Sequence, residues 1–134
     1  MKKYLRKQMV LADPMDVKTY EKRTGRNPMK DKIGEGNAPG YLVSDISGTF
    51  AKWMQKDVFE KSFAPFDTLM DRMNFQLAEL TESIEEMNAY LADEKNTKAM
   101  DNSMQLLIEA QLSAMQTFGA VLATRISTII NNHQ

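Results

Sequence analysis

The sequence predicts an α+β fold, mainly α: a small N-terminal module of a strand and a β-hairpin, then a long antiparallel helical hairpin that oligomerises. Three observations predict it. Phe66, Met70, Met73, Leu77, Leu80, Ile84, Met87 and Leu91 recur at alternating spacings of four and three, which is a heptad seam. That seam covers about 26 residues, or roughly 40 Å of helix at 1.5 Å per residue. From Gln105 to Gln134, only Glu109, Arg125 and His133 interrupt apolar and small polar residues. A surface helix of a monomer normally shows water a charged face, so this segment is expected to be the inner helix of an assembly. Ahead of both, Tyr41 to Trp53 carries β-branched and aromatic residues on both sides of Ser47-Gly48, a β-hairpin pattern.

The elements follow in order. Lys3 to Ala12 reads as a strand ending at Asp13-Pro14, with Asp13 capping and Pro14 entering a helix from Met15 to Thr24. Gly25 to Pro39 lacks periodicity and reads as a loop. Its glycine-rich end, Gly34 to Gly40, lacks the Gly-Lys-Ser/Thr of a phosphate-binding loop and reads as a linker. After the hairpin, Lys56 to Phe63 forms a short helix that stops before Pro65. The boundary between a module at 1–65 and a helical hairpin at 66–134 falls there. Asp93 to Thr97 is the hairpin turn, and the return helix spans Lys98 to Ile130. Its seam is Met104, Ile108, Leu112, Met115, Leu122, Ile126 and Ile129, with a second apolar row at Leu107, Ala114, Phe118 and Val121. One row pairs with the first helix and the other requires a partner.

Composition excludes several chemistries. The chain has no cysteine and a single histidine next to the C-terminus, which argues against thiol chemistry, a His-based metal site and a catalytic triad. No nucleophile–base pair or cofactor fingerprint appears, so an enzyme is not expected and no cofactor is assigned. The pairs Glu85-Glu86 and Asp93-Glu94 lie on and at the end of a solvated helix, a poor setting for paired-carboxylate or metal chemistry. The eleven methionines fit a Met-rich helical core. Polar breaks interrupt every apolar stretch and Met1-Lys2-Lys3-Tyr4 is no signal core, so neither a membrane span nor export is expected. Residues 1–65 carry thirteen Lys/Arg against eight Asp/Glu, and residues 66–134 carry four against ten. The basic residues are scattered, which argues against a nucleic-acid interface; binding through residues 2–32 would show as steep salt dependence.

Residues 1–65 resemble a small module common in phage and prophage proteins. The resemblance is carried by Lys2-Lys3-Tyr4, Ala12-Asp13-Pro14-Met15, Gly40-Tyr41-Leu42-Val43, Gly48-Thr49-Phe50, Trp53, Lys56, Val58-Phe59-Glu60 and Pro65. The chain departs from that pattern at Phe50, Lys52, Met54-Gln55 and Phe63-Ala64. The module often precedes other small phage domains, among them that of a Thoeris anti-defence family that sequesters a cyclic ADP-ribose signal. Leu80-Thr81-Glu82, Ala89-Tyr90-Leu91, Gln111 to Met115 and Val121 to Ile126 make the second half look like the short helical-hairpin proteins of crAss-like phages. In style it is also similar to the helical anti-CBASS sponges, oligomers that bind cyclic nucleotides between protomers.

The resemblance implies a phage anti-defence protein in the cytoplasm of a bacterial host. Its function would be to bind and sequester a nucleotide immune messenger, a cyclic ADP-ribose isomer or a cyclic oligonucleotide, without cleaving it. Candidate ligand residues are Arg125, Arg72, Trp53, Lys56 and Tyr41. Arg125 is the only cation between Lys98 and His133. Either it meets phosphate, repeated by oligomer symmetry, or it pairs with the last carbonyls, Glu79 or Glu82. Arg72, the only cation on the acidic helix, is expected near the same end of the hairpin. Trp53 and Tyr41 either stack on a base or form the module's core, and Lys52 and Lys56 could touch phosphate. The alternatives are an inhibitor that docks on a host defence protein through the second apolar row, and a virion or scaffold component.

Overall fold

A computed structural model describes residues 1–28 and 36–133. The chain divides into two compact units, Met1–Ala64 and Pro65–Gln134. It is mainly helical, with a small N-terminal three-stranded antiparallel sheet ahead of long helices. The elements are β1 (Val10–Pro14), α1 (Val17–Thr24), β2 (Gly40–Asp45), β3 (Ala51–Gln55), α2 (Lys56–Ser62), α3 (Leu69–Ala92), α4 (Glu94–Ala99) and α5 (Asn102–Asn132).

In the first unit the sheet order is β1-β2-β3. β1 is shorter than Lys3 to Ala12 and shifted toward the C-terminus, because a strand exists only where it has a partner. Val10 faces Asp45, the last residue of β2, and Pro14 faces Tyr41. Upstream of Val10 the pairing with β2 has ended and residues 1–9 form no helix or strand. Pro14 is tolerated because β1 is an edge strand. The helix cap is Asp16, not Asp13: its carboxylate accepts a hydrogen bond from the Thr19 N–H at 2.8 Å. Asp13 instead pairs with Arg23 at 2.6 Å and ties α1 to β1. Of the loop expected at Gly25 to Pro39, residues 29–35 lie outside the described residues, as do Gly34 and Glu35 of the glycine-rich linker.

The hairpin turn is wider than Ser47-Gly48 alone, so β3 begins at Ala51 rather than Thr49. Asp45 organises it. Its carboxylate accepts from the Ser47 hydroxyl at 2.7 Å, the Thr49 hydroxyl at 2.6 Å and the Phe50 N–H at 3.1 Å. Gly48 supplies the left-handed backbone, at φ 74°. The two hydroxyl donors, then the amide, stabilise the charged form and lower the Asp45 pKa to about 2.

In the second unit, Thr68 and Asp71 form a reciprocal capping box at the start of α3. The helix therefore begins after Phe66, whose ring lies edge-on to Phe75 at 5.6 Å. Met73, Leu122 and Ile126 are the buried core, with Met70, Leu77 and Ile129 packed against it. The turn is not a simple loop at Asp93 to Thr97. Asp93 caps the short α4, Met100 is extended, and Asp101 caps α5 by accepting from the Met104 N–H at 2.7 Å. Two Asp caps eight residues apart thus insert a helical turn before the return helix. The inner stripe of α5 is Ile108, Leu112, Met115, Leu122, Ile126 and Ile129, half-buried or buried as expected. Met104 is a correction: it is exposed, and Gln105 takes the half-buried position one residue on. Gly119 completes the stripe, facing Leu80 and Ile84.

The second row of α5 lies open: Leu107, Phe118 and Val121 are 65%, 48% and 55% exposed. By length and composition α5 is also apolar enough to cross a membrane. Polar breaks were expected to prevent that, but one Glu and one Arg in 31 residues are too few.

Three outcomes follow for stability. Leu122→Ala removes the most buried side chain and should cost about 2–5 kcal/mol in chemical denaturation. Gly119→Ala should stabilise α5 by up to about 1 kcal/mol, because its new Cβ would meet Leu80 at an ordinary 3.5 Å. The depressed Asp45 pKa stabilises the hairpin above the ordinary value of 3.8, and this is lost as pH falls toward about 2. Amide chemical shifts of residues 45–50 should report that loss, and Asp45→Asn should abolish its pH dependence.

Candidate functional site

Each unit offers a concave surface. In the helical unit it is an open groove of about 480 Å³ on α5, lined by Ala120, Val121, Thr124, Arg125, Thr128 and Ile129. Helical spacing accounts for the set. Residues three and four apart share a face, so Val121, Arg125 and Thr128 continue the second row, and Ala120 and Thr124 flank it. The hydroxyls of Thr124 and Thr128 donate back to the carbonyls of Ala120 and Thr124, at 2.9 and 2.8 Å. Their lone pairs point outward as acceptors, while the Arg125 guanidinium supplies the donors and the charge.

Arg125 is exposed, and neither expected tether holds it. Among the described residues the ion pairs are Arg23–Asp13 and Lys98–Glu94. Packing explains why Glu79 and Glu82 do not reach it. Leu80 meets Gly119, which in the antiparallel hairpin places Glu79 and Glu82 about five and about eight residues, or about 8 and 12 Å, along the helix from Arg125. The guanidinium is thus a cation on an apolar floor, suited to an amphipathic anion.

Arg72 follows a related logic. Met73 packs with Leu122 and Ile126, so Arg72 and Arg125 each neighbour that cluster in sequence and belong to the same end of the hairpin. The Arg72 guanidinium lies over the Phe66 ring, 5.8 Å from its centroid, a cation–π contact that holds it at the start of α3.

In the N-terminal unit a smaller pocket of about 350 Å³ brings Tyr41 and Lys56 together with Pro14, Asp16, Asn37 and Pro39. The Lys56 N–H donates to the Pro39 carbonyl at 3.1 Å, which fixes the start of α2 against the loop. Tyr41 stacks on Phe59 at 4.2 Å, and its hydroxyl donates to Glu60 at 3.0 Å. That bond to a carboxylate raises the Tyr41 pKa. Trp53 is not on this pocket's wall. Its ring covers Gly40, and its indole N–H donates to the Met15 carbonyl at 3.1 Å. Trp53 is half-buried and supports the module whose buried core is Val17, Tyr20 and Val43. Lys52 is exposed on β3, outside the pocket. With Asp16 beside Lys56 the pocket has mixed charge, a weaker anion site than the groove.

Three groove residues, Ala120, Thr124 and Thr128, escaped the sequence reading. Their signal was present: they are spaced four apart, so they share a helix face, and they lie within five residues of Arg125. Among the described residues no group of three or more His, Cys, Asp or Glu could hold a metal.

Gly40 offers a direct test of the module. A Cβ there would strike the Trp53 ring and the Met54 carbonyl, so Gly40→Ala should disorder the sheet. Near-ultraviolet circular dichroism of Trp53 should collapse while far-ultraviolet helicity from the second unit persists.

Over residues 67–128 the chain matches the model of the Sequestin family. The match begins just before the Thr68 cap, takes in all of α3, and ends at Thr128, so it includes both Arg72 and the groove on α5. Neither a curated protein nor a solved structure matches the chain.

Proposed function

We propose that this chain is a phage anti-defence protein that captures a nucleotide immune messenger and withholds it without breaking a bond. The single observation that carries the reading is the match of residues 67–128 to a family named for sequestration, a segment with a groove that presents Arg125, which has no ion-pair partner among the described residues. The ligand class is an anionic nucleotide small enough for such a groove, a cyclic ADP-ribose isomer or a cyclic oligonucleotide. Arg125 holds phosphate through charge-assisted hydrogen bonds. Val121, Ile129 and Ala120 supply an apolar surface for a base or ribose, and the Thr124 and Thr128 oxygens accept from its polar edges. Arg72 adds positive potential from the same end of the hairpin. The pocket of Tyr41 and Lys56 is a secondary contact, and Trp53 acts by supporting it.

Sequestration needs tight stoichiometric binding, with a nanomolar Kd corresponding to about −12 kcal/mol. One shallow groove on one helix gives too little enclosure for that. The working form is therefore a homo-oligomer built on the helical hairpin, acting in the host cytoplasm. A second reading is favoured by the open row itself: Leu107, Phe118 and Val121 could dock on a helix of a host defence protein, with no nucleotide involved.

Native mass spectrometry of the purified protein, alone and with cyclic oligonucleotides and cyclic ADP-ribose isomers, separates the two. Gain of intact ligand mass supports sequestration, whereas indifference to every nucleotide favours the docking inhibitor. Arg125→Ala should weaken capture at least about tenfold, the value of about 1.5–3 kcal/mol for a hydrogen bond to a charged group. The oligomer should be unaffected, and unchanged capture would remove Arg125 from the site.

A further inference from the structure

We infer that the groove is completed by a second copy of the chain, packed antiparallel along α5, giving a two-fold dimer with two separate sites. This rests on the sequestration reading for the ligand but not for the dimer. Every residue lining the groove comes from α5, so it has a floor and no opposing wall. The row that leads out of it is long and uncharged. Met104, Leu107, Gln111, Ala114, Phe118, Val121, Arg125 and Thr128 alternate in spacings of three and four, and Arg125 is its only ion.

Charge selects the occupant. The other face the hairpin could offer a copy of itself, the outside of α3, carries Glu79, Glu82, Glu85 and Glu86 and would repel its like. Only α5 can pair with itself. Area agrees: Met104, Leu107, Phe118 and Val121 are 48–65% exposed and together leave on the order of 400 Å² open. With the short side chains between them, this approaches the roughly 800 Å² per partner of a standard interface.

Charge also selects the direction. Parallel, in-register packing would set the two Arg125 side chains against each other across helix axes only about 8–10 Å apart. Antiparallel packing separates them and opposes the helix dipoles favourably. The register follows from size, with Phe118 seated on Ala114 of the second copy. Gln111 then faces Val121, Leu107 faces Arg125 and Met104 faces Thr128. Leu107 and Met104 of one copy thus roof the groove of the other, and the two Arg125 lie about 18 residues, or about 27 Å, apart along the axis. Each site takes one phosphate-bearing ligand, and the dimer binds two.

The chain has no cysteine, so disulfide trapping reads this geometry directly. Gln111 and Val121 are ten residues, about 15 Å, apart in one helix, too far for an internal disulfide. Under mild oxidation Gln111→Cys/Val121→Cys should give a covalent dimer of twice 15.3 kDa, while each single variant stays monomeric on a denaturing gel. Adding the exposed-face change Phe118→Glu should cut the dimer yield at least about tenfold with helicity unchanged. A dimer from either single variant would mean parallel packing and overturn the inference. So would no cross-link from the double variant. Nucleotide capture by a monomer in native mass spectrometry would also overturn it, yet uphold sequestration. A cross-link from the double variant, together with unmodified protein that captures no nucleotide in native mass spectrometry, would uphold the dimer and sink the sequestration reading alone.

Discussion

The seam between α3 and α5 carries the helical unit, and every functional property of that unit derives from how little of α5 it uses. Met73, Leu122 and Ile126 form the buried core, with Met70, Leu77 and Ile129 around them. A two-helix hairpin has one contact face, so each helix can bury only one stripe of about a third of its circumference. α3 resolves this by charging its remaining surface. α5 does not, and its second row stays apolar and open. A helix with two apolar rows and one intramolecular partner leaves a site or an interface by construction.

Electrostatics then sharpens that remainder into something specific. Within its 31 residues α5 carries one anion, Glu109, and one cation, Arg125. At about 100° per residue, the sixteen residues between them turn Glu109 well away from the row that Arg125 shares with Leu107, Phe118 and Val121. The guanidinium is therefore uncompensated along its own face. The acidic α3 is the natural source of a counter-ion, but its glutamates sit a turn or more away from Arg125 along the hairpin. An unpaired cation bordered by apolar and hydroxyl groups is matched by a ligand that is anionic at one end and flat and apolar at the other.

The N-terminal unit is stabilised by a different device. Its sheet has three short strands and gains rigidity from single contacts: Trp53 over Gly40, the Trp53 N–H on Met15, Arg23 on Asp13, and the Asp45 turn. Each links segments distant in sequence or closes a turn, as a module too small for a large core requires. The aromatic series Tyr41, Phe59 and Phe63, with ring separations of 4.2 and 5.1 Å, fastens α2 to the sheet. Tyr41 and Trp53, equal as stacking candidates in sequence, differ in place: Tyr41 lines the pocket, and half-buried Trp53 covers Gly40.

Periodicity by itself determined the fold class, the two long helices, the inner stripe from Ile108 to Ile129 and the existence of a second row, because heptad spacing maps directly onto helix faces. It also determined that Arg125 belonged to a charge-poor helix. What it left open depended on partners distant in sequence. Where β1 starts was decided by the reach of β2, which ends at Asp45. Which aspartate capped α1 was decided by the pairing of Pro14 with Tyr41, which held Asp13 in the strand and left Asp16 to cap. The extra helix α4 arose from two caps, Asp93 and Asp101, competing across a segment too short for periodicity to register. Only the tertiary structure decided that Arg125 has no counter-ion among the described residues and that Thr124 and Thr128 join it in a groove. The register of α3 against α5 sets which charges come within reach, and a single helix's sequence does not contain that register.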